Sequence, residues 1–361
     1  MNYKSKPDAT AQGMHEAPAP FISPVPQQNL NDTAESYVPI DYDHDFGNVS
    51  QDEDRARRTY NINTFTPEHA EDKNGPVIIP FGMQGSGKTT FLATLFKLMS
   101  EAPALRSEVI VPERDSVANF SGQAMLNEWN DLLSNGSFVN PTNTGEENIR
   151  DIEIQVTPLR GQRTPLRFSI VEVSGEDLYK VVVTEDHQPS LPKAVELLFT
   201  QRKIRPMLIL MVHPERREND KMFENLLLYL RQIMDTGRMD DMPLLVLIPN
   251  PARAMAELRS QRPDLQVHKE LTPELCPEYL REFAPRTSAI FSRWPKKRRG
   301  IMPYYVGTIA KSANNTQETR LKITTYDDTH AKQVFKWIYK QFTGKELGQS
   351  WYSSFMKLFN D

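Results

Sequence analysis

The sequence predicts an α/β domain. A mostly parallel sheet with one antiparallel edge strand lies between helical layers, as a three-layer sandwich, behind a disordered N-terminal arm. Three observations predict it. A glycine-rich turn at residues 82–90 joins a short apolar run to a segment of helical period. Two alternating runs, residues 151–158 and 166–173, are separated by only a few polar residues. Beyond them, apolar runs of strand length alternate with helical patterns as far as Phe342.

Composition bounds the problem. At 361 residues the chain has room for one large domain or two ordinary ones. A hydrophobic content of 39% is low enough that part of the length lies outside a packed core. The net charge of −4 argues against a general nucleic-acid binder. The single cysteine, Cys276, excludes an internal disulfide and a cysteine metal cluster, and fits a reducing compartment. No early apolar segment resembles a signal peptide, and no run approaches the roughly 20 residues that span a bilayer. A cytoplasmic protein is expected.

The elements follow in order. Residues 1–72 read as a disordered, proline-rich, acidic arm, because Pro7, Pro18, Pro20, Pro24, Pro26 and Pro39 interrupt any helix. Residues 77–81 form a short buried strand, and Phe91, Leu92, Leu95, Phe96 and Leu98 carry the helix that begins near Lys88. An insertion over 102–150 contains a helix at 123–133 and a polar loop after Asn135. Ile152, Ile154 and Val156 then share one face of a half-buried strand. So short a turn at 160–164 forces the next strand to run antiparallel, since a parallel pair needs a crossover of a dozen or more residues.

A helix at about 190–202, a strand at 207–212, a helix face from Met222 to Ile233 and a strand at 244–248 continue the alternation. Less regular helix runs from about 252 to 294. A strand at 304–309 and a weak edge element at 319–325 precede the closing helix, marked by Ala331, Val334, Phe335, Ile338 and Phe342. Arg293, Lys296, Lys297, Arg298 and Arg299 surround Trp294 in what reads as a solvated loop. The main domain thus covers 75–345. In the C-terminal segment 346–361, Trp351, Phe355, Leu358 and Phe359 line one face of a short amphipathic helix.

The chemistry lies in Gly82-Met83-Gln84-Gly85-Ser86-Gly87-Lys88-Thr89-Thr90, which fits the phosphate-binding pattern G-x-x-x-x-G-K-[ST] between a strand and a helix. The glycines let backbone N–H groups turn inward around a phosphate chain, and the helix N-terminus adds partial positive charge. Gly82, Gln84, Gly85, Ser86, Gly87, Lys88, Thr89 and Thr90 are therefore the expected nucleotide-binding set. Lys88 reaches the outer phosphates, and the Thr89 hydroxyl holds Mg²⁺.

This loop, its helix, an antiparallel hairpin and repeated strand–helix units resemble the small-GTPase-like class of P-loop NTPases, the Ras and translation-factor group. The resemblance covers roughly residues 75–345. Its second motif, Asp-x-x-Gly, is matched by Glu172-Val173-Ser174-Gly175. It implies that Glu172 supports Mg²⁺ through a water and that the Gly175 N–H senses the γ-phosphate. Glu176 stands where the class orients the attacking water, which with Lys88 makes the expected catalytic pair; a carboxylate there implies slow hydrolysis. His187 is a substitute candidate. The threonine that caps Mg²⁺ only with triphosphate bound is Thr142 or Thr144, and Thr144 joins Thr89 and Glu172 in the expected metal set.

The base-reading motif Asn-Lys-x-Asp corresponds to Asn250-Pro251-Ala252-Arg253. Asn250 aligns, whereas an arginine cannot accept the two hydrogen bonds of a guanine edge. Ala310-Lys311 falls where the class covers the base. The implied function is a switch protein binding Mg²⁺ and GTP or GDP, with ATP also open. Its protein partners would meet the switch loops, the N-terminal arm or the C-terminal helix, and a homodimer is compatible with the class. The alternatives are a pseudo-GTPase scaffold and an ATP-specific P-loop ATPase.

Overall fold

The structure, a computed structural model, describes residues 65–110, 121–137, 149–160, 164–173, 181, 189–313 and 319–347. A seven-stranded sheet forms its centre, in the order β2-β3-β4-β1-β5-β6-β7. The strands are β1 (Gly75–Phe81), β2 (Leu105–Ile110), β3 (Arg150–Pro158), β4 (Leu166–Glu172), β5 (Ile204–Met211), β6 (Leu244–Pro249) and β7 (Arg299–Tyr304). Among these, β3 runs against both neighbours, pairing Arg150 with Glu172 and Leu105 with Pro158. The remaining pairs are parallel, with Val77 opposite Ser169 and Gly75 opposite Ile204 around the central β1.

The inner strands are buried on both faces, which is why they read as unbroken apolar runs. Along β1, Val77, Ile79 and Phe81 face one core and Ile78 faces the other, the two-residue period of a strand. The first core is covered by α1 (Pro67–Asp72), α4 (Lys193–Thr200), α5 (Asn219–Ile233), α6 (Thr236–Asp241), α7 (Pro251–Gln261), α8 (Cys276–Phe283) and α9 (Pro285–Arg293). The second is covered by α2 (Lys88–Glu101), α3 (Ser121–Ser134) and α10 (Thr329–Thr343). The result is the expected three-layer α/β fold.

Four features differ from the sequence reading. First, the stretch 65–72, assigned to the arm, belongs to the folded unit. Phe65 is buried, its N–H bonds the Ile149 carbonyl, and Thr66 and His69 close a capping box at the start of α1. A helix of six residues is too short to show a period. Lys73, its C-cap, is anchored to Asp151, Glu153 and Ser169 at 2.7, 3.1 and 3.0 Å.

Second, the 102–150 insertion supplies β2, which covers β3 and so moves the antiparallel strand one place in from the edge. Its alternate Arg106 and Glu108 pair with each other at 2.7 Å; charge on an edge strand blunts edge-to-edge pairing but hides the strand from a hydrophobic scan.

Third, the expected strand at 304–309 straddles a break. The chain leaves the main sheet at Tyr304 and enters a separate hairpin of β8 (Gly307–Ala313) and β9 (Thr319–Tyr326). Ala310 and Lys311 therefore lie within β8, not in a loop over a base. Gly307 is required at the break: its φ is +131°, and a Cβ there would meet the Thr325 carbonyl oxygen.

Fourth, the basic cluster is only partly the expected solvated loop: Arg293, Lys296 and Lys297 are exposed, but two of its neighbours are built into the fold. Trp294 is buried and donates its indole N–H to the Met242 carbonyl at 2.8 Å. Arg299 opens β7 and donates to the Phe291 carbonyl at 2.7 Å. The arm before residue 65 and the segment from 348, including Trp351, Phe355, Leu358 and Phe359, lie outside the described residues.

Candidate phosphate-binding site

β1 is the middle strand, so its C-terminal end opens onto the crevice where α/β sheets place ligands. Residues 82–87 turn there from β1 into α2. Gly82 has no room for a side chain: an added Cβ would stand 2.3 Å from Ser86 Oγ and 2.9 Å from Met211 Cβ. Gly85 and Gly87 adopt left-handed backbone at φ +76° and +85°. The Ser86 N–H closes the turn on the Met83 carbonyl at 3.1 Å, and the Phe91 N–H bonds the Gly87 carbonyl at 2.8 Å, starting α2. Ser86 is fully buried, and its hydroxyl oxygen has no hydrogen-bond partner among the described residues. Gln84 and Gly85 are exposed at the tip, and Thr90 is half-buried on α2.

Lys88 is 7% exposed and folds back over the loop, donating to the Gly82 carbonyl at 2.6 Å and the Met83 carbonyl at 3.3 Å. A buried ammonium needs such acceptors. Thr89 donates its hydroxyl to Glu172 Oε1 at 2.5 Å. Glu172 is 2% exposed at the end of β4, directly across the ladder from Arg150. The structure thus brings Lys88, Thr89 and Glu172 to one end of the sheet, although Glu172 lies 83 residues from Thr89.

These residues fit a phosphate chain with a hard cation. The loop offers backbone turned by left-handed glycines, a helix N-terminus and an ammonium. A threonine oxygen can ligate Mg²⁺ through a lone pair while its O–H still donates to a carboxylate. Among the described residues no group of three or more His, Cys, Asp or Glu converges on a metal position. A hydroxyl–carboxylate pair completed by phosphate oxygens and water suits magnesium without one.

The other expected residues fall in two groups. Gly175, Glu176, Thr142, Thr144 and His187 lie outside the described residues. Asn250 follows β6 in a left-handed conformation, φ +52°, and its side-chain oxygen accepts the Arg253 N–H at 3.3 Å, capping α7. Pro251 starts that helix at once. Arg253 lies 3.8 Å from Glu215 and 3.6 Å from Glu257. The stretch expected to read the base is therefore built as a helix cap with an ion-pair cluster beside it.

Sequence reasoning missed the turn after β5. Asn219, 1% exposed at the start of α5, accepts the Met83 N–H at 3.3 Å and ties that turn to the phosphate loop. Arg216 reaches the loop from the same turn, with Nη2 3.7 Å from where a Cβ on Gly85 would stand. His213 is buried beside it; burial, assisted by the Arg216 charge, pushes its imidazole down to about 4. Its Nδ1 accepts the Glu215 N–H at 3.2 Å, which puts the neutral ring's proton on Nε2. The available signal was positional: polar residues directly after an inner strand face the same crevice as those after β1.

No family model and no curated protein matches the sequence. Among solved structures the chain is similar to the GTPase-like domain of S. cerevisiae Ski7, described as bound to GTP. Identity is 12% and the TM-score 0.30, over 64% of this chain and 42% of that one. This chain therefore spans less than half of that protein's length.

Proposed function

We propose that this chain is a Mg²⁺-dependent nucleoside-triphosphate-binding switch, GTPase-like in architecture, that hydrolyses its nucleotide slowly. The observation that carries this reading is the contact between Thr89 and Glu172 at 2.5 Å, beside a loop whose lysine is turned onto its own carbonyls. A magnesium ligand and its acidic support would have no reason to meet in a glycine-rich turn that merely opens a helix.

On binding, Lys88 exchanges the Gly82 and Met83 carbonyls for phosphate oxygens. The loop backbone would then donate to the phosphate chain, and Thr89 would hold the ion with Glu172 behind it. Mg²⁺ held there would supply charge neutralisation for the phosphates. Gly175 senses the γ-phosphate, Thr144 completes the metal set and Glu176 orients water; these three roles rest on the sequence alone. A carboxylate in the water-orienting position fits turnover no faster than the roughly 10⁻⁴ to 10⁻² per second of unassisted members of the class. Partners would then set the rate, by way of the segments that flank β3 and α4.

GTP is the first choice of nucleotide. One observation favours ATP or a less selective site instead. Arg253, where a guanine-reading acid would stand, sits among Glu215 and Glu257, and the Asn250 oxygen is committed to the α7 cap.

The test is a titration of the full chain with fluorescent GTP, GDP and ATP, with and without Mg²⁺. Lys88→Ala should abolish binding. Glu172→Gln should weaken Mg²⁺-dependent binding about 10- to 100-fold, the usual effect of losing a group that orients a metal's inner ligands. Unchanged Mg²⁺-dependent binding by both variants would remove this loop from the argument. No binding by the parent chain would leave the scaffold reading.

A further inference from the structure

The geometry points to Arg216 as a phosphate-binding residue of the same site, supplied in cis by the turn after β5. The inference rests on the nucleotide-binding reading and deepens it.

Residues 213–219 form a rigid platform. The Arg216 N–H bonds the His213 carbonyl and the Asn219 N–H bonds the Arg216 carbonyl, both at 3.1 Å. The Glu215 N–H is held by His213 Nδ1 at 3.2 Å, and Asn219 Oδ1 accepts the Met83 N–H at 3.3 Å. The last bond joins the platform to the phosphate loop itself. The place of Arg216 relative to Gly85 is therefore set by backbone and buried side chains, not by a flexible stem alone.

Its guanidinium then lies over a residue without a side chain. Nη2 stands 3.7 Å from the empty Cβ position of Gly85, at the exposed tip of the loop where left-handed backbone turns N–H groups toward a ligand.

Arg216, the Lys88 ammonium and the α2 N-terminus thus border one short loop. An anion seated on that loop would meet positive charge from all three. A guanidinium suits that anion better than a second ammonium would, because its planar fork matches phosphate oxygens two at a time. The predicted ligand atoms are the phosphate oxygens at the Gly85 end of the loop, and pre-organised Arg216 reaches them without a partner protein.

The experiment measures affinity of the full-length chain, Arg216→Ala, Arg216→Lys and Lys88→Ala for fluorescent GTP and GDP with Mg²⁺, and for inorganic tripolyphosphate in competition. Arg216 is half-exposed, and thermal melts of its variants should match the parent. The expected result is a loss of about 10- to 100-fold in Arg216→Ala for all three ligands, the worth of one charge-assisted hydrogen bond. Arg216→Lys should recover part of it, and Lys88→Ala should bind none of them.

If the parent binds and Arg216→Ala stays within twofold of it for every ligand, Arg216 is not a phosphate residue while the nucleotide reading stands. A loss confined to GTP and GDP, with tripolyphosphate unaffected, would place Arg216 on sugar or base and overturn the proposal. Failure of the parent to bind any of the three would overturn both.

Discussion

Gly82→Ala isolates the packing on which the phosphate loop depends. A Cβ at residue 82 would stand 2.3 Å from Ser86 Oγ, 3.2 Å from Ser86 Cβ and 2.9 Å from Met211 Cβ. Ser86 is fully buried, so its hydroxyl has little room to turn away. Nor can Met211 yield, since its Cβ is fixed to β5, the strand hydrogen-bonded to β1. The loop must therefore lift from β5 or the strands must part. Overpacking of this kind costs about 1–3 kcal/mol. At about 2–4 °C per kcal/mol for a domain of similar size, a cost near 2 kcal/mol lowers the melting temperature by about 6 °C.

Ser86→Ala on its own removes a buried hydroxyl that has no partner among the described residues, and should leave stability within about 0.5 kcal/mol of the parent. Combined with Gly82→Ala it removes the 2.3 Å contact but not the one with Met211, so about half of the loss should return. Thermal melts and urea unfolding of the four proteins make the cycle. A Gly82→Ala protein as stable as the parent, or a double variant no better than Gly82→Ala, would refute the argument that β5 and Ser86 fix this loop. The same lift should weaken nucleotide binding more than tenfold, because the carbonyl that anchors Lys88 belongs to Gly82.

Lys73→Met withdraws an ammonium from Asp151 and Glu153 in a nearly dry setting, where breaking a buried pair costs about 3–5 kcal/mol. It should also release α1 from the sheet, which limited proteolysis after Phe65 would register; an unchanged melt and cleavage pattern would show the anchor to be idle. Burial raises the Glu153 carboxyl, but Lys73 and Arg167 outweigh it and hold it below its ordinary value, a stabilisation present at neutral pH and lost as acid protonates the group. In Lys73→Met that acid sensitivity should shrink. His213 acts in the same direction for a different reason. The unfolded chain binds a proton at pH 6.5 and below that the buried ring refuses until about pH 4, so stability is full above pH 6.5 and falls with acid. Its share of the fall is roughly 3 kcal/mol in all. His213→Asn keeps an acceptor for the Glu215 N–H and should flatten that fall; an identical pH profile would show that the ring titrates normally.

The glycine-rich turn into α2, the antiparallel hairpin and the alternation of strands and helices were legible in the sequence because each is a local property. A strand buried on both faces must be apolar throughout, a helix face must repeat every three to four residues, and a short turn leaves two strands no parallel option. Spacing alone marked Gly82, Gly85, Gly87, Lys88 and Thr89. What tertiary structure decided concerns residues far apart in the chain or elements too weakly patterned to declare themselves. Phe65 and the six residues of α1 are ordered by docking on Ile149 and the α4 side of the sheet, not by their own propensity. The charged strand β2 exists because β3 offers it a ladder. Asn250 became a helix cap once α7 began at Pro251. Asn219 and Arg216 reach the phosphate loop across well over a hundred residues, because adjacent parallel strands end at the same edge and present whatever follows them to the same crevice. No local period encodes that meeting; the strand order does.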